Sequence, residues 1–146
     1  MKFAMTERKY LPTFADLVDR LSIVILKQIF IPEYREDYME ERHLIEHDLD
    51  AVMGRKSESL DHVLCGEDVT AMLMIMLSNR TIWQNESEAR KGKRSQNKLL
   101  RFTHSINGCR NKAKNVLSFH ERQDHKIDCL AADLPPEFGN WNIWDE

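Results

Sequence analysis

Apolar residues at Phe14, Leu17, Val18, Leu21, Val24 and Ile25 recur with the period of a helix, and Thr13 stands where a cap is needed. The run FADLVDRLSIVILKQIFI therefore predicts a first helix. From Leu21 onward it is apolar nearly all round, so it is expected near the centre of a bundle. Asp19, Ser22 and Lys27 must then find partners inside or reach an edge. Pro32 ends this helix and opens a second, because proline suits a first turn and Glu33, Glu36 and Asp37 favour the positive end of the helix dipole. The second helix is predicted from Glu33 to Met53, with Gly54 as its C-cap and Tyr34, Tyr38, Ile45, Leu49 and Val52 as its core stripe. Arg55 to Asp61 reads as a polar loop in which Ser57 caps a short turn. A third helix is predicted from Glu67 and Asp68 to Arg90 through AMLMIML. A fourth runs from Ser95 to His120 after a break at Lys91-Gly92-Lys93. Gly108 inside the fourth helix costs about 1 kcal/mol relative to Ala, which suggests close approach of another backbone or of a ligand.

Ala131 to Glu146 changes character. Pro135-Pro136 blocks a helix, and Phe138, Trp141 and Trp144 recur at every third residue, so this tail is expected to dock on its own domain or on a partner subunit. A length of 146 residues suits one domain, 1–146, with 131–146 as the docked tail. With only five Gly and four Pro, the composition favours long helices over a turn-rich sheet. The predicted fold class is all-α: an up-down-type helical bundle of four main helices with an aromatic C-terminal tail packed on it. The apolar tail and a first helix apolar on more than one side also predict a homodimer. Cys65, Cys109 and Cys129 are odd in number and widely spaced, which argues against a disulfide framework or a zinc site and for a reducing cytoplasm. The opening MKFAMTERKY lacks the long apolar region of a signal peptide. Leu21 to Ile31 and Ala71 to Leu77 are too short or too interrupted to span a bilayer, so no membrane contact is expected.

Charge singles out one stretch. From Arg80 to Lys114 there are ten Lys or Arg against two Asp or Glu, a local +8 on a chain whose net charge is −3. Such a block attracts anions through its local field. Within and beside it, Asn79, Trp83, Glu86 and Arg90 share one helical face, and Asn107, Arg110 and Lys114 form a ridge on the next helix beside the apolar line Leu99, Phe102, Ile106, Cys109 and Ala113. Asn79 is flanked by Ile75, Met76, Ile82 and Trp83, so its amide is either buried with partners or lines a pocket, because burial without a partner costs roughly 1–3 kcal/mol. If the two helices pack antiparallel, these groups converge. With Asp19 and Lys27 from the first helix, they make one polar pocket for a phosphate or carboxylate. Arg90 and Arg110 would offer planar forks, Lys27 and Lys114 point charges, and the Asn residues orienting hydrogen bonds. The expected partner is an anionic small molecule or a protein. The competing reading is a polar network that fixes helix register.

Other motifs weigh less. His43, Glu46 and His47 match H-x-x-E-H, the zinc-peptidase pattern, but they lie on the acidic solvent side of an amphipathic helix without an identifiable third ligand. Glu33-x-x-Glu36 followed by Glu58-x-x-Asp61 imitates the carboxylate signature of all-α nucleoside triphosphate pyrophosphatases, making a divalent-metal-dependent phosphohydrolase the runner-up. Its two pairs would sit about 30 Å apart along the second helix, too far to share a metal. Nucleic acid would suit a basic block, yet Trp83 and Phe102, the aromatics inside it, fall on apolar stripes rather than where bases could stack. No cofactor-binding glycine pattern and no nucleophile elbow occur, and neither a cofactor nor a resident metal is expected.

PTFADLVDRLSIVILK, LSNRTIWQNESEAR and HSINGCRNKAKN together resemble a small uncharacterised protein of T4-like bacteriophages. A fainter likeness is to bacterial all-helical domains of unknown function with N-x-x-x-[WL]-x-x-E/D-x-x-x-R followed by an Asn- and Arg-containing helix. Asn79, Trp83, Glu86, Arg90, Asn107 and Arg110 are the matching positions, and Asp19, Ser22 and Lys27 resemble the first helix of such domains. The resemblance implies a phage protein acting in the host cytoplasm. It implies no substrate.

Overall fold

The computed structural model of the chain describes residues 11–59, 64–92, 96–118 and 136–144, and among these there is no strand. Four α-helices follow one another: α1 (Phe14–Phe30), α2 (Arg35–Ser59), α3 (Gly66–Arg90) and α4 (Gln96–Ser118). Short 3-10 turns cover Pro32–Tyr34 and Pro136–Trp141.

Local chemistry explains most helix ends. A reciprocal capping box opens α1: the Asp16 backbone N–H donates to Thr13 Oγ1 and the Thr13 backbone N–H donates to Asp16 Oδ2, each at 3.1 Å. Its last bond runs from the Ile31 N–H to the Lys27 carbonyl at 2.9 Å, after which Pro32 has no N–H to offer and the chain tightens into the first 3-10 turn. Asp68 secures the start of α3 by accepting the Cys65 backbone N–H at 3.0 Å. At the far end Gly92 takes φ +72°, and its N–H reaches the Ala89 carbonyl at 2.9 Å. That left-handed residue is the break expected between the third and fourth helices.

Side-chain pairings fix the directions. The turn at Pro32–Tyr34 reverses the chain, and Lys27 over Tyr38, Gln28 with Arg42 and Arg20 with Glu41 hold α2 against α1. Asn79 reaches Asp19 and Ser22 while Trp83 stacks on Phe30, so α3 runs in the direction of α1. Arg110 bonds Asn79, and Phe102 shares a groove with Asn85 and Glu88, so α4 returns against α3. The result is an up-down all-α bundle. Leu17 and Val24 of α1, Ile45 and Leu49 of α2, Ala71 and Ile75 of α3, and Ala113 and Leu117 of α4 are buried in its core. Trp141 and Trp144 are half-buried against this core, and Phe138 meets Phe102 edge to face at 4.8 Å.

Two expectations change. The second helix does not stop at Gly54: α2 continues to Ser59, so most of the segment read as a polar loop, Ser57 included, is helical. Gly92 is the glycine with a positive φ among the described glycines, so Gly54 keeps ordinary helical geometry and cannot act as a left-handed cap. Residues 60–63, including Asp61, lie outside the described residues. Tyr34 leaves the core stripe: it is 60% exposed because it belongs to the reversing turn, where its ring meets the edge of Tyr38. Among the described residues, no helix is long and apolar enough to cross a membrane.

α2 is set apart from the other helices. Its backbone packs closely along α1 and, among the described residues, along neither α3 nor α4; it joins the shared core through side chains such as Ile45 and Leu49.

Candidate functional site

The site is a polar seam where α1, α3 and α4 meet. Asn79 sits at its centre, 4% exposed, and uses both ends of its amide. Its Nδ2 donates to Asp19 Oδ1 at 2.7 Å and to Ser22 Oγ at 2.6 Å, while its Oδ1 accepts from Arg110 Nη1 at 2.8 Å. Ser22 in turn donates to the Asp19 carbonyl at 2.6 Å. The other nitrogen of the Arg110 fork donates to Asn107 Oδ1, one helical turn away on α4. A seam this well partnered fixes the register of three helices at once.

Lys114 closes the other end. Its ammonium pairs with Asp16 Oδ1 at 3.1 Å and Asp19 Oδ2 at 3.2 Å. Burial alone would lower its pKa, but the two carboxylates outweigh that and raise it above the ordinary lysine value. For Asp16, burial pushes upward, while the Thr13 backbone N–H and Lys114 push downward and prevail, leaving the carboxyl at about 2. Lys114 thus takes both acids of the seam. Arg110, the second cation, is bonded by two amide oxygens, has no carboxylate partner among the described residues, and keeps its Nε buried without a hydrogen bond there.

The predicted residues divide accordingly. Asp19, Asn79, Asn107, Arg110 and Lys114 come together. Lys27, Trp83, Glu86 and Arg90 do not. Lys27 turns towards α2, its Nζ 5.7 Å from the centre of the Tyr38 ring. Trp83 stacks on Phe30 at 6.2 Å as an apolar contact. Glu86 and Arg90 are exposed two and three turns beyond Asn79, past the level at which α1 ends, so no first-helix residue stands opposite them. Asp16 is the member that sequence reasoning missed, although T-x-x-D at a helix start, one turn before Asp19, carries the signal.

The other motifs stay apart. Glu33 lies in the 3-10 turn before α2, Glu36 in its first turn and Glu58 near its end, which at 1.5 Å per residue places Glu36 and Glu58 roughly 33 Å apart; Asp61 lies outside the described residues. His43 and His47 are exposed, and Glu46 between them pairs with Arg42. Among the described residues, no three His, Cys, Asp or Glu side chains are grouped closely enough to hold a metal ion. Cys109 is buried, and burial pushes its thiol pKa up, away from reactivity. Comparison of the chain with protein-family models, with characterised proteins and with solved structures finds no match.

Proposed function

We propose that the chain is a binding protein that receives a phosphate or carboxylate at Arg110, in the seam between α3 and α4. The observation that supports this most is the division of charge: Lys114 neutralises Asp16 and Asp19, while among the described residues Arg110 bonds the amide oxygens of Asn79 and Asn107 and no carboxylate. A guanidinium is more commonly matched by a carboxylate or phosphate, which its fork binds through two parallel bonds. Arg110 is half-buried, and each of its terminal nitrogens keeps one N–H beyond the bonds to Asn79 and Asn107. The surrounding +8 block raises the local concentration of anions. The resemblance of three segments to a T4-like phage protein supports a role in the host cytoplasm.

Thermal melts of the full chain with inorganic phosphate or succinate, against chloride at matched ionic strength, test the reading. The melting temperature is expected to rise with free anion as mass action requires, and Arg110→Met is expected to abolish the rise while retaining a cooperative transition. A parent protein indifferent to every oxyanion would sink the proposal.

Self-association belongs to the same reading. Val69, Leu73 and Leu77 line the outer face of α3 at 49%, 66% and 49% exposure, a stripe that a second copy would cover. Sedimentation is expected to show a dimer that Leu73→Glu dissociates. A monomer at high concentration removes this part without touching Arg110.

A further inference from the structure

Acidic and basic side chains of the chain gather on separate surfaces. From Glu33 to Asp50 there are eight Asp or Glu against two Lys or Arg, a local −6. On α2, Glu36, Glu40, His43, His47 and Asp50 fall at i, i+4, i+7, i+11 and i+14, so they form one ridge about 21 Å long. All five are exposed, on the opposite side of the helix from the buried Ile45 and Leu49. Leu44 stands beside the ridge at 63% exposure, one turn from Glu40. Among the described residues Glu36, Glu40 and Asp50 have no cationic partner. The acids of α2 that do pair with arginine, Glu41 with Arg20 and Glu46 with Arg42, lie off the ridge.

The opposite charge collects where α3 gives way to α4. Arg90 and Lys91 stand at the end of α3, Lys98 and Arg101 in the first turns of α4, and all four are exposed at the same end of the hairpin. None of them has an ion-pair partner among the described residues. Leu100, beside Arg101, is 61% exposed. Each surface therefore offers unpaired charges of one sign next to an uncovered leucine. The two do not meet within one copy, because α2 packs closely against α1 alone among the described residues and turns its ridge away from the shared core.

We infer that the α2 ridge of one copy docks on the cationic end of the α3–α4 hairpin of a second copy. Opposite potentials steer that encounter, whereas ridge against ridge and hairpin against hairpin repel. A single exposed ion pair contributes little, so the contact needs several together, with Leu44 and Leu100 withdrawn from water. It is a small, reversible interface that salt screens. The two surfaces differ, which makes the contact heterologous, unlike a dimer along Val69, Leu73 and Leu77, where one stripe meets itself. Neither surface includes Arg110.

Sedimentation of the full Leu73→Glu chain tests the inference, because that substitution removes the α3 dimer and leaves both charged surfaces intact. At about 0.05 M salt, where the Debye length exceeds about 10 Å, the protein is expected to associate as its concentration rises; at about 0.5 M it should be monomeric. The parent chain keeps its α3 dimer at the higher salt, so the two contacts are read separately. Glu40→Lys with Asp50→Lys, or Lys98→Glu with Arg101→Glu, should each weaken the low-salt association about a hundredfold or more. Mixing the two charge-reversed chains should restore it, since each presents the sign that the other has lost. That recovery also shows that neither variant has misfolded. A Leu73→Glu chain that stays monomeric at low salt, association that survives either reversal, or reversed chains that stay apart on mixing overturns the inference. In the first case, binding of polyglutamate or of a short RNA to the hairpin cations would give that surface a foreign occupant instead.

Discussion

Asp16 serves two structures at once, closing the capping box of α1 and accepting Lys114 from α4, and this double use ties its charge to the stability of the fold. Its carboxyl is held at about 2 in the folded chain against an ordinary 3.8. A depressed carboxylate contributes stability above its unfolded pKa and loses it as pH falls through the folded value. Denaturation midpoints are therefore expected to drop between about pH 4 and pH 2, with the drop flattened in Asp16→Asn; an unchanged profile in that variant would remove Asp16 from the account. Residues of this seam were legible where polarity clashed with surroundings. Asn79 stands out because Ile75, Met76, Ile82 and Trp83 flank it, and an amide among such neighbours needs partners. Glu86 and Arg90 share its period but not its fate. Periodicity assigns a face, whereas burial along that face depends on where the neighbouring helix stops, and α1 stops at Phe30.

Glycine shows the same limit for whole elements. Gly54 and Gly92 look alike in sequence, each following a helical run, yet the first lies inside α2 and the second takes φ +72° after α3. A Cβ would meet nothing within 4 Å at either position, so only the backbone decides the effect of substitution. Gly54→Ala is expected to stabilise by about 0.5–1 kcal/mol, since Ala is the better helix former. Gly92→Ala should destabilise by about 1–2 kcal/mol, the cost of a left-handed alanine. Urea denaturation of the two variants checks both signs, and a destabilised Gly54→Ala would restore the C-cap at Gly54. The starts of the helices were easier to read than this end. Thr13, Pro32 and the Glu67-Asp68 pair act through their own side chains, while continuation through Gly54 depends on Arg55 and the residues after it being good enough helix formers to carry one weak position.

At the scale of the molecule, acid and base are segregated. The negative charge of the chain gathers outside Arg80 to Lys114, much of it on α2, while the basic stretch occupies the later part of α3 and α4. The four-helix, all-α character followed from long amphipathic runs and few breakers, but the unequal packing did not, because no local pattern says which neighbours a helix will have. α2 packs closely against α1 alone among the described residues, giving the shared core only side chains such as Ile45 and Leu49, and the seam of Asp16, Asp19, Asn79, Arg110 and Lys114 ties α1, α3 and α4 without it. Local opening follows the weakest set of contacts. Amide hydrogens of α2 are accordingly expected to exchange through an opening that leaves the other three helices folded, well before global unfolding releases theirs. An oxyanion at Arg110 should then slow exchange in α1, α3 and α4 while α2 keeps its pace, so the bundle would report its ligand through three helices and be deaf to it in the fourth.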